Sequence, residues 1–235
     1  MALSSIRVAS VFGLLSSIAV VFTGDLASMH IAKVQPMKLA AMEALYEGKE
    51  GAGLSIFAIV GDREGNKMNI EIPKLLSILS FRQADAYVAG INDLVNGNPS
   101  RNLMPASEKI ERGKIAIAEL ARYHQAKREG DKGMQQAIAR KFDPNTQEGA
   151  QFLSEYFKYF GYGYLQSPRD LVPNVPILYY AFRIMVGLGF FFILLFVVLL
   201  YYRNKPALMG KRPLLYTMLW SIPLVYLASI MGWCV

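Results

Sequence analysis

PILYYAFRIMVGLGFFFILLFVVLLYY, residues 176–202, decides the fold, because it runs for 27 residues with a single charge, Arg183. At 1.5 Å per residue such a helix exceeds the hydrocarbon core of a bilayer, about 30 Å thick. The segment is predicted to be a transmembrane helix. After RNKPALMGKR (203–212), residues 213–235 (PLLYTMLWSIPLVYLASIMGWCV) form a second uncharged span, with Pro223 expected to kink it. The two spans make a membrane hairpin. Arg203, Lys205, Lys211 and Arg212 all lie in the 203–212 loop, so the positive-inside rule places that loop in the cytoplasm and both outer ends of the hairpin outside.

Upstream, MALSSIRVASVFGLLSSIAVVFTG (1–24) admits a secretory signal peptide or a membrane helix. No clean small-x-small cleavage site precedes Asp25, and residues 3–23 suffice to span if Arg7 snorkels to the cytoplasmic face. Either way residues 24–175 are exported as a large insertion between membrane segments. The formal charge of +7 does not reside there: all 18 acidic residues lie between Asp25 and Asp170 with 19 of the 25 basic ones, leaving that stretch at +1. Without a basic cluster in the water-exposed part, nucleic acid is not an expected partner; the lipid bilayer is. Cys234 has no partner cysteine, and His30 and His124 are too isolated to make a metal site by themselves.

Within the insertion, Pro36 at a first helical position opens PMKLAAMEALYEG, a helix predicted to be capped by Gly48. Leu54–Val60 and Met68–Ile72 flank the turn GDREGN and suggest a small hairpin. Residues 106–128 and 132–142 have helical periodicity, with Ile110, Ile117 and His124 at seven-residue spacing. The aromatic-rich stretch 152–164 reads as a packed helix near the membrane interface, where Tyr is favoured. The expected fold class is an all-α membrane protein with spans at 1–23, 176–202 and 213–235, a short cytoplasmic loop at 203–212, and a mostly helical extracytoplasmic insertion at 24–175. Two features carry chemistry. Arg183 either faces an interior site with a partner or snorkels to the outer interface. Lys38 and Glu43 follow Gln35-Pro36; five residues apart, they stand about 140° from one another on a helix, a poor surface pair but able to border one pocket.

GDLASMHIAKVQPMKLAAMEALYEG (24–48), FGYGYL (160–165), YYAFRIMVGLGF (179–190) and the closing GW (232–233) resemble, in order and spacing, the large haem-bearing subunit of cytochrome bd quinol oxidases. The resemblance implies a bacterial inner-membrane subunit, partnered by a subunit II. It would oxidise quinol at the outer face and pass electrons through a low-spin b haem toward reduction of oxygen to water. It implies that Met185 is one axial ligand of that haem, that Arg183 lies beside it, and that Lys38, Glu43 and Asp25 belong to the quinol-oxidising loop. Trp233 would border the high-spin b and d haems of the complete subunit. His30 matches no ligand. The histidine partner of the methionine lies further upstream in the family and a GRQPW motif lies downstream, so the chain reads as an internal piece, not expected to hold a six-coordinate haem or reduce oxygen alone. The competing reading is an extracytoplasmic binding module whose hairpin is only an anchor.

Overall fold

Backbone N–H and C=O groups facing lipid must bond within their own segment, which leaves helices for the apolar stretches. The computed structural model describes residues 2–61, 66–202 and 210–235. Its helices in chain order are α1 (Ala2–Val34), α2 (Pro36–Met42), α3 (Leu75–Phe81), α4 (Ile91–Asn96), α5 (Ala106–Glu129), α6 (Lys132–Arg140), α7 (Gln147–Glu155), α8 (Val175–Tyr202) and α9 (Arg212–Cys234). The strands are β1 (Lys49–Glu50), β2 (Leu54–Ile59), β3 (Met68–Ile72) and β4 (Tyr87–Val88), paired antiparallel as β1 with β4 and β2 with β3. The chain is thus mostly helical, and the expected hairpin is present as β2–β3, with Leu54 opposite Ile72 and Ile59 opposite Met68.

Among the described residues three helices are long and apolar enough to cross a membrane: Ser4–Val34, Pro168–Tyr202 and Arg212–Cys234, with mean hydropathies of 1.9, 2.9 and 1.7. The first does not stop at residue 23. No proline interrupts the chain before Pro36, so α1 continues to Val34 and breaks at Gln35, whose backbone the following proline restricts. Asp25 therefore lies within a helix, roughly 14 Å before its end. Pro223 sits inside α9 without ending it. Of the charged loop predicted at 203–212, residues 203–209 lie outside the described residues.

The chain folds as two units. One combines residues Met1–Val88 with Asn174–Val235, so the first part of the insertion packs with the membrane helices. Leu195 and Leu199 of α8 are buried against Ile6, Phe196 and Met218, and a Cβ on Gly13 would lie 2.4 Å from the Phe196 ring, a measure of how closely α1 and α8 approach. A second cluster, Ala32, Leu39, Ala52, Leu76 and Val88, joins α1, α2, α3 and the strands. The other unit is Ala89–Pro173. There α5 packs along a 3-10 segment, Phe157–Tyr164, through two glycines. A Cβ on Gly113 would sit 2.4 Å from Tyr159 O and from Gly163 N. The aromatic stretch is thus part α-helix and part 3-10 turn rather than one helix, because this contact needs backbone against backbone. His124 is exposed and leaves the stripe of Ile110 and Ile117; Ala126 is buried in its place.

Candidate functional site

The site begins with the end of α2. Pro36 occupies the first turn, where its missing N–H costs nothing, and Met37, Leu39, Ala40, Ala41 and Met42 are buried. The helix predicted to reach Gly48 stops at Met42. Leu45 N donates to Ala40 O at 2.8 Å and Ala44 N to Ala41 O at 3.2 Å, the two bonds of a Schellman motif, and Ala44 takes the left-handed position at φ 48°. An alanine there costs about 1–2 kcal/mol, and tertiary contacts hold it: Ala44 is 2% exposed and its carbonyl accepts from Asn66 Nδ2 at 3.1 Å. This early stop leaves Glu43 at the C-cap, pointing inward.

Glu43 forms an ion pair with Arg183 of α8, its side chain 3% and that of Arg183 16% exposed. The structure thus decides between the two readings of Arg183: it faces an interior partner instead of snorkelling. Tyr179 and Phe182 flank the guanidinium, with ring centroids 4.9 and 5.2 Å from Cζ. A second polar layer supports the pair. Ser55 of β2 donates its backbone N–H to the Glu43 carboxylate, while its hydroxyl meets Tyr179 Oη at 2.8 Å and donates to Asn69 Oδ1 at 2.7 Å. Burial raises the Glu43 carboxyl above its ordinary value of 4.5, and Arg183 and the Ser55 N–H partly offset that rise.

Among the described residues, none of the other expected residues forms a hydrogen bond or ion pair with Glu43 or Arg183. Lys38 is half-buried on α2 and makes no ion pair with another described residue. Asp25 is salt-bridged to Arg82, which caps α3 in the left-handed conformation, so it fastens α3 to α1. Met185 lies half-buried on α8 two residues after Arg183, and a Cβ on Gly232 would come within 3.3 Å of its sulfur. Gly232 thus packs against Met185, and Trp233 is 92% exposed. The FGYGYL stretch belongs to the second unit, where Lys109 stands over Tyr162 at 5.6 Å and Lys158 over Tyr159 at 5.7 Å. Burial, then the charge of Lys158, lowers Lys109.

The donor set suits one side of a haem. A thioether is an axial ligand for electron-transfer iron, and Arg183 Nε, buried without a hydrogen-bond partner, is a free donor of the kind an anionic propionate takes up. Among the described residues no three His, Cys, Asp or Glu side chains group to hold a metal ion, and His30 and His124 are both exposed. The whole chain, residues 1–235, matches the family described as cytochrome bd terminal oxidase subunit I.

The chain belongs to that family. It is 30% identical over 249 aligned residues to cytochrome bd-II ubiquinol oxidase subunit 1 of Escherichia coli K12, covering 99% of this chain and 44% of that protein. It is 23% identical to cytochrome bd ubiquinol oxidase subunit 1 of Bacillus subtilis 168, covering 97% of this chain and 36% of that one. The structure of bd oxidase from Geobacillus thermodenitrificans superposes with a TM-score of 0.54 at 22% identity, over 98% of this chain and 36% of that chain, which is a likeness of fold. The chain therefore spans less than half the length of these relatives. Sequence reasoning places Glu43 and Arg183 in separate roles and misses Tyr179 and Ser55. Tyr179 is within its reach, one turn before Arg183 on the same helical face; Ser55 leaves no signal.

Proposed function

We propose that this chain is the quinol-oxidising portion of a cytochrome bd-type terminal oxidase, working in a bacterial inner membrane beside a second subunit, with oxygen reduced to water elsewhere in the complete complex. The observation that supports this most is the buried Glu43–Arg183 pair, which ties the QPMKLAAME stretch to the FRIM helix. A quinol must lose two protons as its electrons leave. Glu43, raised by burial, holds its carboxyl nearer the working pH than a surface carboxylate, as suits an acceptor of one of them. Lys38, which no described carboxylate engages, holds a quinol oxygen. Asp25 acts through its Arg82 bridge, ordering the start of the loop. Protons leave on the extracytoplasmic side, where the loop lies.

Met185 would hold a low-spin b haem through its thioether and Arg183 would receive its propionate. When bound, that haem supplies a one-electron acceptor, and methionine ligation raises its potential. Arg183 also acts on Glu43, because its charge keeps the deprotonated carboxylate compatible with burial. The haem d and second b haem of such oxidases would belong to the remainder of the subunit. The test is Met185→Leu in the assembled oxidase. Loss of the low-spin haem band together with quinol oxidation is expected; an intact band with unchanged turnover would favour a membrane-anchored module without redox activity.

A further inference from the structure

Resting on the reading of Glu43 as proton acceptor, we propose that Tyr179 is a positioning residue for that proton transfer, with its ring against Arg183 and its hydroxyl on Ser55, the residue whose backbone N–H serves Glu43. Its ring lies under the guanidinium, 4.9 Å from Cζ, and orients Arg183. Its hydroxyl, 2.8 Å from Ser55 Oγ, reaches Glu43 through the Ser55 backbone N–H. The direction of this bond follows from proton inventory. Ser55 has one hydroxyl proton and donates it to Asn69 Oδ1 at 2.7 Å, so Tyr179 is the donor and Ser55 Oγ the acceptor. The Asn69 amide in turn donates to Glu71 Oε2 at 3.4 Å, and Glu71 is paired with Lys49 at 3.1 Å. Ser55 is thus held from α8 on one side and from β3 on the other, which fixes where its N–H stands against the Glu43 carboxylate. Tyr179 is 1% exposed, and its hydroxyl has no competing water-facing role.

Among the described residues the charged group in contact with Glu43 is Arg183 from α8; Lys38 lies five residues before it in the chain, and the Glu71–Lys49 pair lies beyond Asn69. Tyr179→Phe changes none of them and keeps the ring; it removes only the hydroxyl that anchors Ser55. The Ser55 N–H is then held less firmly against the Glu43 carboxylate, which binds its proton more tightly.

The experiment is the pH dependence of kcat/KM for oxidation of a short-chain quinol by the assembled oxidase, which reports groups of the free enzyme. Tyr179→Phe is expected to move the acid limb to higher pH, lowering kcat/KM about threefold at the acid end, equivalent to about half a pKa unit. It should converge on the unsubstituted enzyme at the alkaline end, with the low-spin haem band unchanged. If that variant does not assemble, Ser55→Ala removes the same hydrogen bond from its other end and should move the limb the same way. A limb left in place, even with a uniformly lower rate, overturns the proposal, since a role in packing alone scales the rate without moving the limb. Glu43→Gln separates the two levels. Loss of the limb in Glu43→Gln with no shift in Tyr179→Phe sinks only the role of Tyr179; a retained limb in Glu43→Gln sinks the acceptor reading and this inference together.

Discussion

Arg183 and Glu43 illustrate how one residue's environment is set by another far along the chain. The two are 140 residues apart and meet in the interior. Removing one member of a buried ion pair strands the other charge, so Arg183→Leu is expected to destabilise the fold by ~3–5 kcal/mol. Combining it with Glu43→Gln should recover much of that loss, since no uncompensated charge remains; thermal unfolding of the purified protein in detergent measures both. The pH dependence has a definite sign. Burial raises Glu43 above 4.5, so the folded state binds this proton more tightly than the unfolded chain does. Its contribution to stability is therefore greatest at low pH and declines as pH climbs from 4.5 through the raised value. Glu43→Gln should flatten that decline, and unfolding followed across the same pH range checks it.

Elements are legible where local physics decides them. The spans follow from length and hydropathy, the β2–β3 hairpin from alternation around a turn, and α5 from its period. Helix ends are less legible, because a stop is often made by what packs against it. Gly48 has the right chemistry for a cap, yet α2 stops at Met42 with Ala44 in the left-handed conformation, held by Leu45 N to Ala40 O and by Asn66, two residues before β3. The 3-10 segment Phe157–Tyr164 has no sequence signature beyond its glycines. Those glycines have a reason in the packing, and it makes a prediction. Gly113→Ala places a methyl 2.4 Å from backbone atoms of Tyr159 and Gly163, neither of which yields as a flexible side chain does. A loss of about 1–3 kcal/mol is expected, and faster protease cleavage within residues 89–173 would register it.

At the scale of the molecule, the insertion is divided. Residues up to Val88 fold with the membrane helices, and Ala89–Pro173 fold as a unit of their own. The candidate site lies wholly in the first. Orientation across the membrane is expected from the basic residues of 203–212, and it is testable because Cys234 is the only cysteine among these 235 residues. In a Cys234→Ser background, Lys158→Cys should react with an impermeant thiol reagent on intact cells, whereas Lys211→Cys should react only after permeabilisation; the opposite pattern would invert the topology.

The sequence by itself determined that this chain crosses a membrane, how its apolar stretches become helices, and which family it resembles, because bilayer thickness and backbone hydrogen bonding act on each segment alone. Only the tertiary structure decided that Arg183 turns inward, that Glu43 is its partner, and that Tyr179 and Ser55 hold them. A buried charge takes its meaning from the group that compensates it, and no local rule says which of 18 acidic residues that will be.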